Sequence, residues 1–183
     1  MNKNIEIEFK TAITKDKYEE LLALFNLENN VFKQVNYYFD TDDFQLNQQK
    51  VVLRIRQKKE NFYKVTLKSQ SEHGAFESHV ILNETQAQDM IKNGFHTKSF
   101  FDDIDFFVTY KAKLENERVS TPHTHGTLFF DRCAYYGITD YEIEYEVEDY
   151  EEGLLVFKQF LAEHNIPFTP AKRKSERALD SRK

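Results

Sequence analysis

Cysteine occurs once, at Cys133. That excludes an internal disulfide framework and predicts a small, buried, apolar side chain instead. Proline and glycine are also scarce, at 3 and 5 residues, against 17 Phe and 10 Tyr. This balance favours strands over loops. No run approaches the roughly 18 consecutive apolar residues that a membrane-spanning helix needs. The opening Met1-Asn2-Lys3-Asn4-Ile5-Glu6 has no apolar signal core. A cytoplasmic protein without a membrane partner is therefore expected. Positive charge is not in excess either, since the formal net charge is −6. No nucleic-acid partner is expected, and any anion must be held by a local basic cluster. The sequence has no phosphate-binding glycine loop, no dinucleotide fingerprint and no arguable Ser-His-Asp or Cys-His arrangement. His123-x-His125 lies between Pro122 and Gly126 and reads as a solvated loop.

What is present fits one soluble domain over residues 1–183, with 40% hydrophobic and 31% charged residues. Residues 4–10 alternate, with Ile5, Ile7 and Phe9 on one side and Glu6, Glu8 and Lys10 on the other. That period of two marks a strand. Further strands are predicted over 32–41, 50–58, 61–69, 75–82, 104–119, 127–134 and 140–148. A polar turn is expected at Asp42-Asp43. Thr14 reads as the N-cap of a helix over 16–27, and Asn83 caps one over 84–93 that Gly94 ends. A third helix is predicted over 150–164, and a short basic one over 171–181. Clustered strands with hairpin-length links give an α+β fold: a mostly antiparallel sheet with helices as cover.

The charged strand faces are unusual. Glu6/Glu8/Lys10, Arg54/Arg56, Lys64/Lys68 and Glu142/Glu144/Glu146 form dense rows whose signs segregate by strand. Like charges opposed across strands are destabilising. If the sheet closes, the rows share an interior, and the rows Ile5/Ile7/Phe9 and Tyr141/Ile143/Tyr145/Val147 face outward under the helices. A charged interior survives only if it is wet, paired or filled by a ligand. Carboxylates beside Lys and Arg suit an anion that carries a hard divalent cation, such as a triphosphate with Mg²⁺ or Mn²⁺.

Glu6-x-Glu8-x-Lys10, Tyr38-Phe39-Asp40-Thr41, Leu53-Arg54-Ile55-Arg56, Thr66-Leu67-Lys68, Asp131 with Glu142-Ile143-Glu144, and Lys172 to Arg177 occur in an order that resembles the CYTH superfamily, the triphosphate tunnel metalloenzymes. The resemblance spans nearly the whole chain. It implies a closed eight-stranded β-barrel whose lumen binds triphosphate, with Mg²⁺ or Mn²⁺ dependence. The activities it implies are those of inorganic, thiamine and RNA triphosphatases and of class IV adenylate cyclase. Two departures stand out. A Lys-x-Arg pair common on the middle strand has only Thr109-x-Lys111 and Lys111-x-Lys113 as counterparts here. Ala75 stands where many members carry Arg two residues before the strand-four Glu, here Glu77. Both remove a fork-shaped phosphate donor.

The roles expected on this basis are specific. Glu142, Glu144 and Asp131, with Glu6 and Glu8 nearby, hold the metal. Lys10, Arg54, Arg56, Lys64, Lys68, Lys111, Lys172, Lys174 and Arg177 bind the triphosphate. Glu6, Glu8 and Lys10 serve catalysis, Glu8 or Glu6 by orienting or deprotonating the attacking water. A ribose 3′-hydroxyl nucleophile in the same site would give cyclase chemistry, and a site without turnover would be a triphosphate or polyphosphate sensor. The expected partner is a triphosphate-containing small molecule, on a monomer or homodimer.

Overall fold

A computed structural model describes residues 2–182. The elements are β1 (Asn2–Ile13), α1 (Lys15–Leu24), β2 (Phe32–Asp40), α2 (Gln45–Gln48), β3 (Val51–Lys59), β4 (Phe62–Gln70), β5 (Ala75–Leu82), α3 (Glu84–Asn93), β6 (Phe95–His96), β7 (Phe107–His123), β8 (Gly126–Tyr135), β9 (Ile138–Val147), α4 (Tyr150–Glu163) and α5 (Lys174–Ser181). Eight strands run in the order β2-β3-β4-β5-β1-β9-β8-β7, and β7 pairs back onto β2. Each of these pairings is antiparallel, and the short β6 adds to β7. The result is a closed eight-stranded barrel, whose interior has room for side chains or one small ligand. Among the described residues no helix is long and apolar enough to cross a membrane.

The outer faces are covered as the alternation requires. Phe9, Ile143 and Tyr145 pack under α1 and α4 with Leu21, Leu22, Phe157 and Phe160. Phe157 stacks on both Phe9 and Tyr145 at 6.1 Å. Leu53, Ile55, Val65 and Leu82 form a second core under α3 with Ala87 and Met90. Ile5 is the exception in its row, at 65% exposure.

Local signals set the helix ends. Thr14 Oγ1 accepts from the Lys17 amide at 3.1 Å, and Asn83 Oδ1 from the Gln86 amide at 2.8 Å. Gly94 ends α3 with φ +79°, where a Cβ would sit 2.4 Å from the Val108 carbonyl oxygen. Helix α1 stops at Leu24 rather than 27 because Asn26 turns the chain at φ 60° and drops Leu27 into the core.

Three segments depart from the sequence expectation. The polar turn after β2 includes the one-turn helix α2. Buried Asp40 organises it by accepting from the amides of Thr41, Leu46 and Asn47 at 2.7, 2.9 and 3.0 Å. Asp40→Ala leaves these donors unpartnered and is expected to cost at least ~2 kcal/mol in urea unfolding. Strand β7 runs on to His123, so Pro122 lies within a hairpin and pairs in register with Thr127. It is tolerated there because β2 reaches only as far as Arg118 on the other side of β7. Finally, β7 carries a bulge at Lys111, opposite Tyr38/Phe39. Before it, Val108 packs in the outer core; after it, Ala112 and Leu114 face inward.

The tail helix α5 enters the barrel. Its Ala178 and Leu179 pack with Tyr38, Ala112, Leu114, Cys133 and Tyr135 and fill part of the interior with apolar side chains. The remaining interior is the charged cavity.

Candidate functional site: the charged barrel lumen

The cavity has a volume of about 330 Å³ and is lined almost entirely by charged and polar side chains. Register explains their convergence. Around the girth, Glu8 lies opposite Glu146, Lys10 opposite Glu144, Lys68 opposite Glu77, and Arg56 opposite Lys64. Two of these four pairs are like-charged, an arrangement that an exposed sheet face would avoid.

One wall is acidic. Lys68 Nζ lies 3.0 Å from Glu6 Oε1 and 3.1 Å from Glu8 Oε1, and Lys10 Nζ lies 3.7 Å from Glu8. These cations do not satisfy the wall. Burial, followed by Glu144, pushes the Glu8 carboxyl above its ordinary range. Glu146 is exposed, and partial desolvation, then Glu6, Glu8 and Glu77, push it up to about 7.

Behind this wall Asp131, Glu142 and Glu144 offer oxygens within 4.8 Å of one another. Their centre is held by Lys174, whose Nζ lies 2.9 Å from Asp131, 2.7 Å from Glu142 and 2.5 Å from Glu144. Arg118 grips Asp131 through Nε and Nη2, each at 2.7 Å, and reaches Glu144 at 3.0 Å. Arg177 bonds Asp140 and Glu142. Burial would raise Glu144, but Lys174 and Arg118 pull it well below the usual carboxylate range. Asp131 is lowered in the same way, with Arg118 the stronger partner. The triad is thus already neutralised by side-chain cations.

The opposite wall is cationic and unpaired. Arg54, Arg56 and Lys58 of β3 and Lys64 of β4 line the cavity. None of them forms an ion pair among the described residues, and Arg54 Nε has no hydrogen-bond partner. Burial, then their mutual repulsion, disfavours the charge on Arg56, Lys58 and Lys64. Arg nonetheless stays protonated. This is stored positive potential aimed into a closed space.

The residues singled out from sequence fall into three groups. Glu6, Glu8, Lys10, Arg54, Arg56, Lys64, Lys68, Glu144 and Lys174 line the cavity. Asp131, Glu142 and Arg177 stand behind Lys174. Lys111 and Lys172 lie elsewhere. Lys111 lies 3.4 Å from Asp42 and over the Phe44 ring and does not line the cavity, and Lys172 pairs with Asp180 at 3.1 Å on the surface. Sequence reasoning passed over Arg118, Lys58 and Asn36. Lys58 continues the Arg54/Arg56 alternation and was there to be found. Arg118 was hidden because the bulge at Lys111 reverses the phase of β7, so counting from Lys111 leads outward. Phe129, which breaks the acidic pattern before Asp131, lies under the Arg118 guanidinium at 4.4 Å. His123 is no ligand in this arrangement: its ring packs on Tyr145 and Phe160.

A barrel with opposed acidic and cationic walls in one lumen is a specific arrangement, and comparison with known proteins agrees with it. The CYTH domain description matches residues 4–179. The chain belongs to the CYTH family. YjbK of Bacillus subtilis (strain 168), whose name marks it as a proposed triphosphatase, is 31% identical over 191 residues, covering 100% of this chain and 98% of YjbK. A crystal structure from Bacillus halodurans, described as a proposed adenylate cyclase, is 30% identical with a TM-score of 0.87, covering 97% of this chain and 98% of its own. A Hippeastrum protein described as a proposed adenylyl cyclase with dominant triphosphatase activity shares the fold, with a TM-score of 0.76 and 22% identity over 98% of this chain and 96% of its own. On β7, Arg118 lines the lumen, and buried Asn116 lies two residues before it.

Proposed function

We propose that this CYTH protein is a divalent-metal-dependent triphosphatase that removes the terminal phosphoryl of a triphosphate held in the lumen. The observation that carries this reading is the unpaired row Arg54, Arg56, Lys58 and Lys64 facing Glu6, Glu8 and Glu146 across one cavity. The cationic row suits phosphate oxygens, with Arg54 and Arg56 offering fork-shaped donors.

The acidic wall fits a hard divalent cation, because the raised Glu8 and Glu146 carboxyls mark negative charge that the protein's own cations leave unmet. Glu6 and Glu146 would hold Mg²⁺ or Mn²⁺, whereas Asp131, Glu142 and Glu144 hold Lys174. A bound divalent ion supplies neutralisation of phosphate oxygens and acidification of a nearby water. Arg54, Arg56 and Lys64 bind and align the chain of phosphates. Glu8, made more basic by its burial, orients the attacking water and takes its proton. Lys10 and Lys68 offset charge on the transferred group.

The test is product analysis with tripolyphosphate, ATP, GTP and thiamine triphosphate, each with Mg²⁺ and with Mn²⁺. Orthophosphate release that stops on chelation is expected. Cyclic AMP plus pyrophosphate from ATP, or tight binding without turnover at any pH from 7 to 10, would overturn the reading.

A further inference from the structure

Each cation on the acidic side of the lumen is matched by carboxylate: Lys68 and Lys10 by Glu6 and Glu8, Arg118 and Lys174 by Asp131 and Glu144. Arg56 is treated differently. It is buried, at 8% exposure, among Arg54, Arg118 and Lys64. Among the described residues it is engaged through Nε alone, which donates to Asn36 Oδ1 at 2.8 Å. Asn36 is fully buried and stands directly across from Arg56 in the β2–β3 register.

The flanking positions on this side are amides as well. Gln34 and Asn116 face each other across β2 and β7, both buried. The side-chain nitrogens of Gln34, Asn36 and Asn116 have no hydrogen-bond partner among the described residues. A carboxylate at position 36 would hold the guanidinium just as well and cancel its charge. An amide oxygen holds the plane of the guanidinium and leaves the charge available.

We propose that Asn36 is a positioning residue that aims Arg56 into the lumen through a neutral acceptor, so that the full charge and both terminal nitrogens are kept for a phosphoryl group. This inference rests on the reading of the lumen as a triphosphate site. Asn36→Asp has the same size and converts the neutral contact into an ion pair, so it separates orientation from charge. The variant is expected to keep or raise the melting temperature while weakening tripolyphosphate binding at least tenfold, measured by calorimetry in chelator. A purely structural role for Asn36 would instead move stability and affinity together.

A double-mutant cycle closes the argument. Asn36→Val, which removes the acceptor, is expected to weaken binding in the wild-type background and to be silent in Arg56→Gln, and it serves if Asn36→Asp fails to fold. Wild-type affinity in Asn36→Asp, alongside a weakened Arg56→Gln, would overturn the inference alone. A wild-type protein that binds no tripolyphosphate would overturn the reading of the site beneath it.

Discussion

Lys174→Met is expected to lower the unfolding free energy by about 3–5 kcal/mol. The Lys174 ammonium touches three carboxylates that are themselves buried, Asp131, Glu142 and Glu144. Removing one partner of a buried ionic cluster leaves uncompensated charge in a low-dielectric space, which costs far more than the cluster contributes when intact. Arg118 and Arg177 remain, so the triad keeps two of its three cationic partners. Lys172→Met is the matched control. Its ion pair with Asp180 is exposed, and its loss should change stability by no more than ~0.5 kcal/mol. Urea unfolding of the two variants beside the wild type checks both. Equal, small effects would mean that α5 does not hold its place in the barrel through Lys174.

The second large effect separates activity from stability. Glu8→Gln is expected to cut orthophosphate release by on the order of 10²–10⁴-fold, with no loss of stability. Glu8 is half-buried opposite Glu146 and pressed by Glu144, so its charge is unfavourable in the folded state. Glutamine removes that repulsion, and Lys68 keeps its contact with Glu6. Such a pattern is the signature of a residue held in a strained electrostatic environment for function. A Glu8→Gln variant that keeps wild-type turnover would contradict the assignment.

Much of this molecule is legible in the sequence because the barrel obeys a simple alternation. Ile7/Phe9 against Glu6/Glu8/Lys10, and Ile55 against Arg54/Arg56, each specify a face, and closure of the sheet follows from asking where segregated charge could go. Helix caps at Thr14 and Asn83 are equally local and equally visible. What escaped was non-local. The bulge at Lys111 has no sequence mark of its own, yet it reverses which β7 residues face inward, exchanging Lys111 for Arg118. The roles within the acidic set also depended on tertiary contacts. Glu142 and Glu146 lie on one face of one strand, but Glu142 meets Lys174 and Arg177 while Glu146 meets Glu6 and Glu8. Only the position of α5 inside the barrel distinguishes them. Asn36, a polar residue in an otherwise apolar and aromatic strand, gains its meaning from the one side chain across from it.

In the proposed function the cations on the acidic side of the lumen are paired with carboxylates, those on the opposite side are not, and the unpaired side holds the phosphates. Calorimetric titration of tripolyphosphate in the presence of chelator tests it most directly. The wild-type protein should bind without metal, Arg54→Gln/Arg56→Gln should weaken binding at least a hundredfold, and Lys172→Met, whose pair with Asp180 lies on the surface, should leave binding unchanged. Undiminished binding by Arg54→Gln/Arg56→Gln would contradict it.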